Sequence, residues 1–299
     1  MSTSCIRFMF GGFIIFLATC WNLPCGAEVS PDLQRPFADK WAVVIGVDKF
    51  QDASWNLQYA VKDAEDFSDY LIKQANFEPH HVKLLTGKNA TRRTISKTLR
   101  EWLGSAAGPN DLAIIYFRSR GSFANLNPAG RNYLAASDTA ADGVASTGIE
   151  MDEFPKLMLE SVRARAVIMI IDADFSGLMT HAKSIGGGYG SLPPGLVPNG
   201  HTFEILCSAR ANEISWESKD YHNSVFTRHL IDALVKQGSK AVLPGAADAV
   251  REEVGREVRR ARNRTESVST LGEGGPLNVQ IAAPVTKPRS APAESATVR

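Results

Sequence analysis

The chain is short of cysteine: it has four, and three of them, Cys5, Cys20 and Cys25, stand within the first 25 of its 299 residues. Only Cys207 lies beyond, so no intrachain disulfide framework is available to the rest of the molecule. Net charge is also lacking. Lysine plus arginine (33) nearly balance aspartate plus glutamate (32), and such balance gives no reason to expect nucleic acid or an acidic membrane surface as the partner. The six histidines (His80, His81, His181, His201, His222, His229) are scattered at spacings that make no zinc set, and His80-His81 reads as a surface turn. No acidic cluster reads as a calcium site, no cofactor motif is present, and no internal repeat is found.

Long apolar runs are few. The longest, "FMFGGFIIFLA" from Phe8 to Ala18, follows Arg7 and precedes small residues near Ala27. It is shorter than the roughly 20 residues a spanning helix needs, and Gly11-Gly12 weakens it further. The expectation is a secretory signal over 1–27, cleaved near Ala27, and hence an exported protein, periplasmic or extracellular. If retained, the segment is a membrane anchor. "LATC" at Cys20 is a poor lipobox because Thr19 stands where a smaller residue is preferred.

From Lys40 onward the chain alternates between strand-like and helix-like segments. "WAVVIGV", "DLAIIYF", "AVIMII" and "TFEILC" are continuous apolar runs of the kind found in parallel strands covered on both faces. "LQYAVKDAEDFSDYLIKQ" gathers Ala60, Ala64, Phe67 and Leu71 on one helical face. "TRRTISKTLREWLGSA" is a second amphipathic helix with Thr91 as its cap. "VFTRHLIDALVKQ" and "AADAVREEVGREVRRARNR" are further helices; the latter aligns Val250, Val254 and Val258 and leaves its charges solvated. The pattern predicts an α/β fold, a three-layer α/β/α sandwich with a mainly parallel sheet. Sites in such folds lie beyond the carboxyl ends of strands, so the loops after Val47, Phe117, Ile171 and Cys207 are the ones that matter. The expected organisation is a linker over 28–39, a domain over 40–284 and a disordered tail over 285–299. A Gly/Pro loop, "SIGGGYGSLPPGLVPNG", interrupts the domain.

In order along the chain, "WAVVIGVDKF", "NLQYAVKDAEDFSDYL", "VKLLTGKNATRRTISKTLREWL", "DLAIIYFRSRGS", "GRNYLAASD", "VIMIIDADFSG" and "CSARANEISWES" with the later "NSVFTRHLIDAL" resemble the caspase and metacaspase group of cysteine peptidases. The resemblance implies a caspase-type sheet and a Cys-His dyad, with the histidine in a "YFSGHG" context and the cysteine in "DACHSG". Here the first reads "YFRSRG", so Arg120 stands at the histidine position; the second reads "DADFSG", so Asp174 stands at the cysteine position. Arginine stays protonated and cannot serve as a base near neutrality. A carboxylate is a far weaker nucleophile toward an amide than a thiolate. The family's oxyanion donors correspond to the N–H groups of Gly121 and Asp174, and a carboxylate at 174 opposes the charge they would stabilise. The expectation is a pseudopeptidase with no intact catalytic residue and a binding or regulatory role; the alternative is a cysteine-type endopeptidase-family hydrolase with residual or unconventional activity that uses other groups.

In the family fold the two positions face each other, so an Arg120–Asp174 ion pair filling the old site is one outcome; two solvated side chains that never meet is the other. In metacaspases the acid matching Asp172 helps form a pocket for a basic residue, implying a peptide or protein partner with basic side chains. The alternative is that Asp172 caps a strand end or pairs with Arg120. Ser215 and Trp216, in "SWES", match the far rim of the substrate cleft, where Trp216 either lines the cleft or covers the edge of the core. Cys207 reads as an inert core thiol. "IIDADFSG" also resembles the opening motif of haloacid-dehalogenase-type phosphotransferases, in which Asp172 would attack phosphorus and Asp174 act as acid/base with Mg²⁺. That motif should open its fold and precede a metal-binding acidic pair, and neither holds here.

Overall fold

A computed structural model describes residues 35–122, 131–181, 197–198, 201–273 and 279–286. The leader, nearly all of the Gly/Pro loop and most of the expected tail lie outside the described residues. β1 (Lys40–Gly46), β3 (Leu112–Arg118), β7 (Ala166–Asp172) and β8 (Thr202–Cys207) are the four continuous apolar runs of the sequence, and they form the centre of one sheet. β2 (Val82–Thr86) flanks β1, and β9 (Ser269–Glu273) flanks β8. The order is β2-β1-β3-β7-β8-β9, parallel throughout except for β9, which runs antiparallel to β8. Three two-residue strands, β4 (Gly121–Ser122), β5 (Tyr133–Leu134) and β6 (Ile149–Glu150), make a small antiparallel sheet beside it.

Helices cover both faces, as the uninterrupted hydrophobicity of the central strands requires. Strand periodicity divides the side chains. Val43, Ile45, Ile115, Phe117, Met169, Ile171, Phe203 and Ile205 point to one layer, with α2 (Arg92–Lys97) and α5 (Phe154–Ser161). Ala42, Val44, Ile114, Tyr116, Ile168 and Ile170 point to the other, with α1 (Ala60–Lys73), α6 (Val225–Gln237) and α7 (Leu243–Arg262). Thr91 caps α2 as its sequence suggests, its Oγ1 accepting the Thr94 N–H. The expected single helix there is broken in type: a π-helical segment, Thr98–Leu103, leads into a last turn, α3 (Gly104–Ala106). The short α4 (Val144–Thr147) precedes β6.

Two local expectations are corrected. His81 is buried rather than on a surface turn: its ring stacks on Trp41 at 3.6 Å, and its Nδ1 lies 3.0 Å from Asp39 Oδ1. The charges of α7 are not all solvated. Glu257 is buried, accepting from Ser218 Oγ and pairing with Arg228 and His229. At the amino-terminal end of β1, the Lys40 ammonium is buried and donates to the carbonyl oxygens of Ala75, Ile281 and Ala283.

Candidate functional site

The chain leaves β1 toward β2 on one side and reaches β3 on the other, so a crevice opens at the carboxyl ends of these strands. A pocket of about 420 Å³ lies there, lined by Ser54 and Trp55 from the loop after β1, Arg120, Gly121 and Ser122 after β3, Asp174 and Phe175 after β7, and Asn212 after β8. The four loops singled out from the sequence therefore meet at one place.

The geometry of that place is set by strand register. β3 and β7 pair in parallel with Arg118 opposite Asp172. Period-two alternation puts both side chains on the α1/α6 face, where Arg118 Nη1 lies 3.2 Å from Asp172 Oδ1. Two residues further along each chain, Arg120 Nη1 lies 3.3 Å from Asp174 Oδ2. The segments "RSR" and "DAD" thus form two ion pairs in succession: an inner one with no solvent exposure to speak of and an outer one at the pocket floor. Asp172 pairs with Arg118, not with Arg120.

The outer pair is held from several sides. Arg120 Nε donates to the Trp55 carbonyl at 3.0 Å, and Asp174 Oδ1 accepts the Ser215 N–H at 3.1 Å. Burial pushes the Asp174 carboxyl above its ordinary range, and the Arg120 and Arg118 charges oppose that shift. Gly121 is required by close approach: a Cβ there would lie 1.9 Å from the Asp174 carbonyl oxygen. The turn after Asp174 places Phe175 at φ +58°, a left-handed conformation uncommon for a bulky residue. It is fixed by the Phe175 N–H donating to the Glu213 carbonyl at 2.8 Å.

Around the inner pair lies a polar network that sequence reasoning missed. Asp172 accepts from Ser215 Oγ at 2.6 Å, from Thr227 Oγ1 at 2.7 Å and from Ser224 Oγ. Arg118 Nε stands 3.5 Å from Asp63 Oδ2, and Asp63 in turn accepts from the Ser224 N–H and Asn223 Nδ2. Ser215 Oγ is also 3.2 Å from Glu266 Oε1, while Glu266 Oε2 accepts the Trp216 N–H. One hydroxyl proton cannot serve both Asp172 and Glu266. Glu266 is fully enclosed, and burial, aided by the Asp172 charge, pushes its carboxyl well above the ordinary range. A protonated Glu266 donating to Ser215, which donates to Asp172, satisfies all three groups. Asp63 is likewise pushed up to about 7, by burial first and against the pull of Arg118.

Ser215 is buried between Asp172, Asp174 and Glu266, so its hydroxyl belongs to this network and its N–H to the pocket floor. Trp216 is half-buried against the α6/α7 layer with the Arg262 guanidinium over its ring at 4.6 Å; it is not among the pocket-lining residues. Cys207 is enclosed, its thiol pushed up to about 12 by burial. Among the described residues, no group of three or more His, Cys, Asp or Glu is arranged to hold a metal ion, and no helix is long and apolar enough to cross a membrane.

The caspase domain model matches residues 39–273, which span every element from β1 to β9. The chain belongs to the caspase domain family. Solved structures resemble it at low identity: protein GSU0716 of Geobacter sulfurreducens is 15% identical with a TM-score of 0.55, over 83% of this chain and 98% of that one. Caspase-1 of Spodoptera frugiperda is 14% identical with a TM-score of 0.54, over 82% of this chain and 93% of the other. At such identity the likeness speaks for the shared fold. No curated protein sequence matches the chain.

Proposed function

We propose that this caspase-fold protein is an exported pseudopeptidase that holds a peptide or protein segment without cleaving it. The observation that carries the reading is the outer ion pair: Arg120 and Asp174, at the positions where the family keeps its histidine and cysteine, bind each other at 3.3 Å. A guanidinium locked to a carboxylate and a carbonyl accepts no proton. A carboxylate whose two oxygens are already engaged offers no nucleophile. Its negative charge also sits beside the backbone donors that would have to stabilise an oxyanion. Loss of single catalytic members in a model peptidase lowers the rate by roughly 10⁴ to 10⁶. The pocket nevertheless keeps its floor, its glycine and its aromatic walls. Export rests on the leader, and amino-terminal sequencing of the secreted protein should begin near Glu28.

The phosphotransferase alternative loses support from the same geometry. Asp172 is fully buried and its oxygens already accept from Arg118, Ser215, Ser224 and Thr227, so it is not placed to attack phosphorus.

The test is hydrolysis of Arg- and Lys-terminated peptide substrates by the purified protein beside an Arg120→His, Asp174→Cys double variant. The expected result is no turnover by the natural chain. Turnover appearing in the double variant marks a cleft that lost only its chemistry. Turnover by the natural chain refutes the pseudopeptidase reading.

A further inference from the structure

Several of the polar groups that line the pocket are free to donate. The Arg120 side chain is 31% exposed whereas that of Asp174 is 8%, because the Asp174 oxygens are taken up by Ser215 and Arg120. Arg120 spends Nε on the Trp55 carbonyl and Nη1 on Asp174; its Nη2 has no partner among the described residues. The Asp174 backbone N–H likewise has no acceptor among the described residues. Ser122 Oγ accepts the Tyr133 N–H, which leaves its own proton to give, and the Asn212 amide lines the same wall. The rest of the lining is dominated by the Trp55 and Phe175 rings.

We infer that this pocket receives the C-terminal carboxylate of a peptide. The inference rests on the peptide-holding role proposed for the protein and specifies which part of the peptide is held. A carboxylate is an acceptor with two oxygens: one suits Arg120 Nη2, the other the Asn212 amide and Ser122 hydroxyl donors. A lysine or arginine side chain brought to the same place meets the Arg120 cation and finds the Asp174 oxygens already occupied. An internal Asp or Glu would carry in two flanking peptide units, each needing partners that Trp55 and Phe175 do not supply. A chain terminus carries in one, and its last side chain falls against the rings.

The experiment measures equilibrium binding of randomised tetrapeptide pools to the full-length chain, each pool made in three forms: free C-terminus, C-terminal amide, and amide with one fixed internal Asp. Free acids are expected to bind at least about tenfold more tightly than amides, as one charge-assisted hydrogen bond warrants. Arg120→Gln should weaken free-acid binding by roughly 10- to 100-fold and erase the preference, while Arg120→Lys keeps part of it. Asp174→Asn, which removes a like charge from beside the ligand, should strengthen it. Equal binding of acids and amides, or a preference for the Asp-bearing amide or for Lys and Arg residues, overturns the inference and leaves the peptide-holding role standing. Binding of no pool overturns both.

Discussion

Replacing Arg118 by methionine keeps most of its volume and deletes its charge, and the structure makes the consequence calculable. Arg118 is the cation between two fully buried carboxylates, Asp63 and Asp172, with Glu266 behind Ser215. Breaking a buried pair by removing one partner destabilises by roughly 3–5 kcal/mol, because the other charge is left enclosed. The loss should depend on pH. The Asp63 carboxyl, already at about 7 with Arg118 beside it, rises further once the guanidinium is gone. A raised folded-state pKa gives stability that is complete below the unfolded value near 3.8 and fades as pH climbs through the folded one. The variant should therefore be weakest at pH 8 and recover much of its deficit at pH 5, where Asp63 is free to protonate. Urea unfolding midpoints of both proteins, taken from pH 5 to pH 8, measure this. A deficit under about 1 kcal/mol at pH 8, or one that does not shrink on acidification, would refute the account of the network as carboxylates organised by one cation.

Gly121→Ala should destabilise the fold by about 1–3 kcal/mol, as overpacking against backbone does, because the added methyl would sit 1.9 Å from the Asp174 carbonyl; thermal unfolding reads this, and an unchanged Tm would mean that the strand end gives way freely. Glu204, buried in β8 with an Oε2 that has no hydrogen-bond partner among the described residues, has its carboxyl pushed up to about 9 by burial. Its contribution is lost as pH rises from about 4.5 toward 9, so Glu204→Leu should stabilise the protein at pH 9 by on the order of 2 kcal/mol or more and much less at pH 4.5. An equal effect at both pH values in denaturant titrations counts against a proton bound in the folded state.

The strands and the loops that carry the pocket were legible because a strand covered on both faces must be apolar from end to end, and four such runs stand in the sequence. Arg120 and Asp174 were legible as departures from a family frame, though whether they met was not. The inner pair was also written in the chain, in the equal spacing of "RSR" and "DAD" after two apolar runs. Reading it needed the register that sets Arg118 opposite Asp172. Asp63 offered a fainter signal, a carboxylate between Ala60, Ala64 and Phe67 on the apolar face of α1. Glu266 offered none: it stands after α7 in an unremarkable stretch, and only the folded chain brings it to Ser215. The burial of His81 was not legible, because stacking on a ring as distant in sequence as Trp41 has no local trace.

The buried ammonium of Lys40 sets where the folding unit ends. Two of its carbonyl acceptors, those of Ile281 and Ala283, lie beyond the last sheet strand, and the Thr286 N–H closes onto the Phe37 carbonyl. A fragment cut after β9 would keep every strand of the sheet. It would also take two carbonyl oxygens away from a positive charge buried beside β1. The last turns of the described chain thus act as the inner coordination sphere of a side chain 241 residues upstream, and a shortened protein would be expected to unfold from that edge first.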